Sequence, residues 1–273
     1  MECVLPDITV HYEVFGEGRP LIVLPGWPDT GRVPAHYLEP VFDRRPGWRR
    51  FYLDLPGRGG TPGPAWITSN DQILDIVLAV IDRLVPEGRF VIAGHSAGAY
   101  LARAVVARRG PDVDGLLQVV PVISPEDDDV PDPITILRDD ALIARVEAEL
   151  GPEQAAAIAR ALVVQRPEIY DHVKPLLPEM QRADRAFLAR LEESVSFPVD
   201  PLPTPFPGPA LFVLGRQDHV VGYRAALRLE ADYPRATFAV LDGAGHSLPW
   251  ERPDAFSALV RDWLDRLEVA GPS

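Results

Sequence analysis

Short apolar runs and amphipathic stretches alternate along much of the chain. Residues 20–24 and 90–93 are almost entirely apolar and are bounded by turn-forming residues, which indicates strands buried on both faces. From 73 to 84 apolar residues recur every three or four positions, which predicts a helix capped by Ser69 or Asn70. Buried strands that alternate with helices are typical of an α/β fold with a mostly parallel sheet covered on both faces.

The pattern changes in the middle of the chain and then returns. The other predicted core elements are strands at 8–15, 51–55, 116–122, 210–214 and 237–241 and helices at 223–231 and 254–267. Residues 125–207 instead show helical periodicity, at 136–150, 152–165, 167–177 and 182–193. We therefore predict one α/β core, formed by 1–124 and 208–273, into which 125–207 is inserted as a helical cap, or lid.

Composition excludes several classes of function. The 273 residues include 27 Lys and Arg against 40 Asp and Glu, a net charge of −13, which has the wrong sign for binding nucleic acid. No stretch approaches the ~20 apolar residues of a membrane helix, and the N-terminus lacks the pattern of a secretory signal. We expect a soluble, cytoplasmic protein whose partner is a small-molecule substrate, with homo-oligomerisation left open. Cys3 is the single cysteine, so no internal disulfide is expected.

The pentapeptide Gly94-His95-Ser96-Ala97-Gly98 follows a predicted strand and opens a helix. It matches G-x-S-x-G, in which a sharp turn exposes the serine hydroxyl at the edge of the sheet. Glycine on either side of the serine removes the Cβ atoms that would clash in such a turn. Ser96 is therefore the predicted nucleophile.

A serine nucleophile needs a base to take its proton and an acid to orient that base. His246 lies in a Gly-Ala-Gly-His-Ser turn between a strand and the last helix, and we predict that it is the base. His95 is predicted to be structural, because consecutive side chains diverge on a sharp turn. Asp218 follows a strand, at the end where active sites of α/β sheets gather, and is the predicted acid. Asp127 to Asp129 offer a rival acid position.

Two backbone amides are predicted to form the oxyanion hole. One is the N–H of Ala97, next to the nucleophile and at a helix N-terminus. The other lies in the loop at 24–29, where prolines leave Gly26 and Trp27 as donors, and we favour Trp27. Neither H-E-x-x-H nor a Cys/His cluster is present, so we expect no metal and no cofactor.

These residues, in the order Ser96, Asp218, His246, resemble the α/β-hydrolase fold superfamily over nearly the whole chain. Besides the nucleophile turn, the resemblance is carried by Gly26-Trp27-Pro28, Asp54-Leu55-Pro56-Gly57-Arg58-Gly59-Gly60-Thr61, Gly215-Arg216-Gln217-Asp218, and Gly245-His246 with Glu251-Arg252-Pro253 and Phe256. The resemblance implies a cap inserted after the sixth strand. Pro25 stands where the family usually has histidine, and the serine nucleophile sets the chain apart from branches that use aspartate, the haloalkane dehalogenases and epoxide hydrolases.

The expected activity is cofactor-independent hydrolysis of a small carboxylic ester or lactone through an acyl-enzyme on Ser96. Carbon–carbon bond hydrolysis, hydroxynitrile lysis and perhydrolysis on the same triad are alternatives, as is a non-catalytic small-ligand binder of the same fold. Lys174 is the single lysine, and no P-loop or Schiff-base lysine fits the sequence elsewhere. Residues 125–207 contain 17 acidic and 8 basic residues, so we expect this segment to disfavour anionic substrates.

Overall fold

The computed structural model describes residues 1–86, 88–123, 130–192, 199 and 202–270. Eight strands within that part of the chain form one sheet. In chain order the strands are β1 (Glu2–Val4), β2 (Thr9–Phe15), β3 (Arg19–Leu24), β4 (Trp48–Leu53), β5 (Phe90–His95), β6 (Val113–Val119), β7 (Ala210–Gly215) and β8 (Ala236–Leu241).

The strand order in the sheet is β1-β2-β4-β3-β5-β6-β7-β8. From β4 to β8 every neighbouring pair is parallel, whereas β2 is antiparallel to both β1 and β4. The predicted mostly parallel sheet is thus confirmed. Because parallel strands point the same way, the loops that follow β3, β5, β7 and β8 all emerge at one edge of the sheet.

Helices cover both faces of the sheet. Those of the described residues are α1 (Arg32–Phe42), α2 (Asn70–Leu84), α3 (Ala97–Arg109), α4 (Asp140–Leu150), α5 (Pro152–Ala161), α6 (Pro167–Val173), α7 (Leu177–Gln181), α8 (Arg185–Glu192), α9 (Arg224–Leu227), α10 (Leu248–Glu251) and α11 (Pro253–Ala270). Apolar residues of α2 and α3 pack in one core cluster, and those of α1 and α11 pack in another. Along β3, Ile22 and Leu24 enter the first cluster while Leu21 and Val23 enter the second. Burial on both faces explains why this strand is continuously apolar.

The predicted helix after residue 69 is confirmed together with its cap. The Ser69 hydroxyl accepts a hydrogen bond from the Gln72 backbone N–H, and the Gln72 side chain accepts one from the Ser69 N–H. This reciprocal pair satisfies two of the N–H groups that a helix leaves unpaired at its start. Further along, helices α4 to α8 lie between β6 and β7, where helical periodicity was predicted. We call residues 130–192 the helical segment. Among the described helices, none combines the length and the apolar character needed to cross a membrane.

Three local predictions need correction. The sequence pattern did not predict α1, which contains prolines in its first turn and at position 40. The strand predicted at 116–122 ends at Val119, because Val120 adopts a positive φ of 39° that turns the chain out of the sheet. The helix predicted at 223–231 forms only over Arg224–Leu227. The first two differences arise at prolines and at a residue with positive φ, where backbone conformation and not apolar spacing decides the structure.

Candidate active site

Ser96 lies on the sharp turn between β5 and α3, as the motif predicts. Its backbone has φ 53° and ψ −117°, a conformation that non-glycine residues rarely adopt. Neighbouring backbone groups hold it there: the Ser96 N–H donates to the Val119 carbonyl (2.9 Å), and the Ser96 carbonyl accepts from the Val122 N–H (3.2 Å). The end of β6 therefore fixes the turn and leaves the side chain at the edge of the sheet.

The two glycines of the motif are required by close backbone contacts. A Cβ atom on Gly94 would lie 2.3 Å from the Gly98 carbonyl oxygen. A Cβ atom on Gly98 would lie 2.3 Å from the carbonyl oxygen of Pro25, in the loop after β3. Neither contact is tolerated, since nonbonded carbon and oxygen atoms do not approach so closely. The glycines thus allow α3 to pack directly against both β5 and the loop that contains Trp27.

The structure brings Ser96, His246 and Asp218 together from three different loops. The distance from His246 Nε2 to Ser96 Oγ is 3.0 Å, and that from His246 Nδ1 to Asp218 Oδ2 is 2.9 Å. Ser96 and Asp218 are separated by 122 positions in the sequence, yet one imidazole connects them because β5, β7 and β8 end at the same edge. Both distances are those of ordinary hydrogen bonds.

The Asp218 carboxylate is fully buried and is held by backbone groups. Its other oxygen, Oδ1, accepts hydrogen bonds from the N–H groups of Val220 (2.9 Å) and Val221 (3.1 Å). These bonds leave Oδ2 directed at the imidazole of His246. A buried, hydrogen-bonded carboxylate in this position orients the ring and fixes which ring nitrogen carries the proton.

The pKa of His246 lies above its ordinary value. Burial lowers this pKa, whereas the charge of Asp218 and its hydrogen bond to the ring raise it. The carboxylates of Asp29 and Glu251 act in the same direction. The environment thus stabilises the imidazolium form, which is the form that a base takes once it has accepted a proton.

Trp27 and Ala97, the predicted oxyanion donors, lie in segments next to Ser96. Ala97 is the first residue of α3, so its N–H has no acceptor within the helix. Trp27 lies in a turn closed by a hydrogen bond from the Asp29 N–H to the Gly26 carbonyl (3.1 Å). That turn touches Ser96, since a Cβ atom on Gly26 would lie 3.3 Å from Ser96 Cβ. Both amides therefore belong to segments in contact with Ser96.

His95 has a closer relation to the site than sequence reasoning assigned. Its ring is buried and stacks on the ring of His246, with centroids 5.6 Å apart and an angle of 28°. Its Nδ1 atom lies 3.6 Å from Oδ2 of Asp29, a buried carboxylate that sequence reasoning did not single out. The sequence signal that could have indicated this carboxylate was the pair Pro28-Asp29, which directly follows Trp27. His95 and Asp29 thus form a buried pair behind the catalytic candidates.

Glu251 connects the helical segment to the turn that bears His246. Its carboxylate accepts hydrogen bonds from the N–H groups of Val163 (2.6 Å) and Val164 (3.3 Å), and also from Gly245 (2.6 Å). Burial raises the pKa of Glu251, although these backbone bonds act in the opposite direction. The sequence contained this glutamate only as part of a terminal motif, without a role.

The remaining candidates lie elsewhere. The rival acids, Asp127 to Asp129, fall outside the described residues. His11 bonds to Asp54 at 2.9 Å, and His36 lies against His172 with ring centroids 5.7 Å apart. In the ranges that the structure describes, no group of three or more His, Cys, Asp or Glu side chains is arranged to hold a metal ion.

Curated relatives of this chain have several different names. A hydrolase of Pseudomonas putida, 2-hydroxy-6-oxononadienedioate/2-hydroxy-6-oxononatrienedioate hydrolase 2, is 24% identical over 94% of this chain and 92% of its own length. The pimeloyl-[acyl-carrier protein] methyl ester esterase of Aeromonas hydrophila is 24% identical over 94% and 100%. The AB hydrolase superfamily protein YisY of Bacillus subtilis is 35% identical, but the match covers only 40% of each protein.

Solved structures share the fold over nearly the full chain. An alpha/beta superfamily hydrolase from Oenococcus oeni PSU-1 is 26% identical, with a TM-score of 0.86 over 98% of this chain and 99% of that one. A thermophilic esterase from Thermogutta terrifontis is 21% identical, with a TM-score of 0.68 over 97% of each chain, which shows the fold alone. A family model matches residues 21–259, and the chain therefore belongs to the alpha/beta hydrolase family.

Proposed function

We propose that this protein is a serine hydrolase that cleaves a small carboxylic ester or lactone without a cofactor. The observation that carries the proposal is the pair of hydrogen bonds through His246, 3.0 Å to Ser96 and 2.9 Å to Asp218. A serine hydroxyl bonded to an imidazole, which is bonded in turn to a buried carboxylate, is the arrangement that activates serine for acyl transfer.

In the proposed reaction, Ser96 Oγ attacks the carbonyl carbon while its proton moves to His246 Nε2. The Asp218 carboxylate stabilises the resulting imidazolium, and the N–H groups of Trp27 and Ala97 bind the oxyanion. His246 then gives the proton to the departing alcohol oxygen, leaving an acyl-enzyme on Ser96. Water, deprotonated by His246, attacks this ester, and the acid is released as Ser96 regains its proton.

Residues 125–207 act in this proposal as a cap over the core formed by 1–124 and 208–273. Contacts support this role. Arg32 at the start of α1 donates to Glu179 of the helical segment (3.0 Å), and the Asp184 N–H donates to the carbonyl of Gly57 (2.8 Å). With the bonds of Glu251, they join the segment to the core at α1, at the loop that contains Gly57, and at α10.

Carbon–carbon bond hydrolysis is the second candidate. It is favoured by the similarity, over 94% of this chain, to the Pseudomonas putida hydrolase, whose name specifies a 2-hydroxy-6-oxononadienedioate or 2-hydroxy-6-oxononatrienedioate substrate. The same nucleophile and base would serve that reaction, so the triad does not separate the two activities. If the protein turns over such a dienedioate but does not hydrolyse simple esters, this candidate is favoured over ester hydrolysis.

Covalent labelling with a fluorophosphonate tests the mechanism without knowledge of the substrate. Intact mass should show one adduct on the native protein and on Ser257→Ala, a control on α11, but none on Ser96→Ala. Each variant should also be checked for native circular dichroism and for hydrolysis of short acetate esters. Labelling that persists in Ser96→Ala would refute the assignment of the nucleophile. A folded native protein with neither adduct nor turnover would favour the non-catalytic ligand binder.

A further inference from the structure

An apolar cavity of about 210 Å³ lies between the core and the helical segment. On the core side its wall includes Val33 of α1 and Ser247 and Trp250 at α10. On the other side it is lined by α5, α6, the turn after α6, and α7. The cavity is thus formed jointly by the two parts of the fold and belongs to neither alone.

The cavity lies next to the turn that bears His246, which is the side on which the leaving alcohol departs in the proposed reaction. Ser247 directly follows His246, whose Nε2 atom is 3.0 Å from Ser96 Oγ. In the proposed mechanism His246 must reach the oxygen of the leaving alcohol in order to protonate it. The alcohol part of the ester therefore departs on the side of the imidazole, and the cavity is adjacent to the turn that carries this ring.

The lining determines which chemical groups the cavity accepts. None of its lining residues, within the described chain, carries a charge. The hydroxyl of Tyr170 already donates to Glu149 (2.8 Å), which leaves mainly aliphatic and aromatic surface. A carboxylate or ammonium placed there would lose its hydration without an ion partner in return. An uncharged, apolar group is the chemistry that fits.

The volume sets an upper limit on that group. An apolar protein cavity of about 150 Å³ holds one benzene molecule, or roughly 25 Å³ for each carbon. By the same measure, this cavity accommodates about eight carbons, such as a linear octyl chain or a benzene ring with a short substituent.

We infer that this cavity binds the alcohol part of the substrate, and that the substrate is an ester of an uncharged apolar alcohol of up to about eight carbons. The inference rests on the proposed ester hydrolysis and adds a substrate class to it. It also separates this chain from a hydrolase for a substrate that carries a carboxylate on its leaving side, because such a group would have no cation in the cavity wall.

Two ester series test the inference. In the first, the acyl group is fixed as acetate and the alcohol is lengthened from methyl to decyl; in the second, methyl esters carry acids of increasing length. We expect kcat/KM to rise about fourfold per methylene in the alcohol series, as burial of methylenes predicts, and to level off near eight carbons. In the acid series the rise should be absent. A terminal carboxylate on the octyl chain should remove the gain.

Variants of α5 provide a matched pair. Ala157 is exposed and lines the cavity, whereas Ala156 is also exposed and does not line it. Ala157→Phe fills the cavity with little risk to folding and should abolish the rise of kcat/KM along the alcohol series. Ala156→Phe adds the same ring to the same helix and should behave as the native protein.

The outcomes separate this inference from the proposed function. A flat alcohol series, a preference that appears in the acid series, or equal behaviour of the two phenylalanine variants would overturn the inference while methyl acetate turnover and Ser96 labelling stand. Loss of labelling and of all ester turnover in the native protein would instead overturn the proposed function.

Discussion

The backbone of Ser96 predicts an unusual effect of glycine at this position. At φ 53° and ψ −117° a residue with a Cβ atom is strained by about 1–3 kcal/mol, whereas glycine is not. Both Ser96→Gly and Ser96→Ala remove the hydroxyl and its bond to His246, so their difference isolates the strain. Glycine also makes the unfolded chain more flexible, which offsets about 0.4–1 kcal/mol. Ser96→Gly should therefore be more stable than Ser96→Ala by about 1 kcal/mol.

Thermal and urea unfolding of the two variants measure this difference. With an unfolding entropy of about 2.1 cal/mol/K per residue, 1 kcal/mol corresponds to a Tm about 2 °C higher for a chain of this length. Ala104→Gly, in the regular part of α3, is the control: there the same change should lower stability by about 1 kcal/mol or more. If Ser96→Gly is no more stable than Ser96→Ala, the strain argument is wrong.

Three further outcomes are expected. The proposed base His246 must be neutral to act, and its pKa is raised above the ordinary value of 6.5. As the solution is acidified, kcat/KM should therefore fall to half at a pH above 6.5. In a pH–rate profile of Asp218→Asn, the inflection of the residual activity should lie at a lower pH than in the native protein. Gly98→Ala, which places a Cβ 2.3 Å from a backbone oxygen, should lower stability by about 3 kcal/mol or prevent folding, whereas Gly110→Ala, in open space, should change the urea midpoint little. Arg103→Met should cost about 3 kcal/mol in the same assay, because this buried guanidinium donates to two backbone carbonyls that would lose their partner; an unchanged midpoint would contradict that account.

The sequence alone predicts the candidate triad because each member lies in a loop that follows a strand of the parallel sheet. Ser96, Asp218 and His246 come after β5, β7 and β8, and parallel strands place such positions at one edge whatever the details of packing. The nucleophile turn was also predictable, since glycines at 94 and 98 are required by contacts within a few residues and with the adjacent loop. Short-range rules and sheet topology therefore suffice for this part.

Other features depend on contacts that no local pattern records. Helix α1 was missed because its prolines break the usual signal, although Pro34 lies in the first turn, where a missing N–H costs nothing. The cavity could not be predicted from a local pattern, because its lining residues are spread along the chain from 33 to 250. Its volume depends on how five short helical elements pack, and apolar periodicity only indicates that they bury a face.

Glu251 connects the turn that bears His246 to the helical segment. One of its oxygens accepts the N–H of Gly245, next to His246, and the other accepts the N–H groups of Val163 and Val164. A single buried carboxylate therefore holds the helical segment against the turn that bears the imidazole of His246. The segment forms one wall of the cavity. Changes in the segment can alter the shape of the cavity while this attachment keeps the His246 turn in place. The triad does not select the substrate of the proposed reaction, whereas the lining of the cavity does.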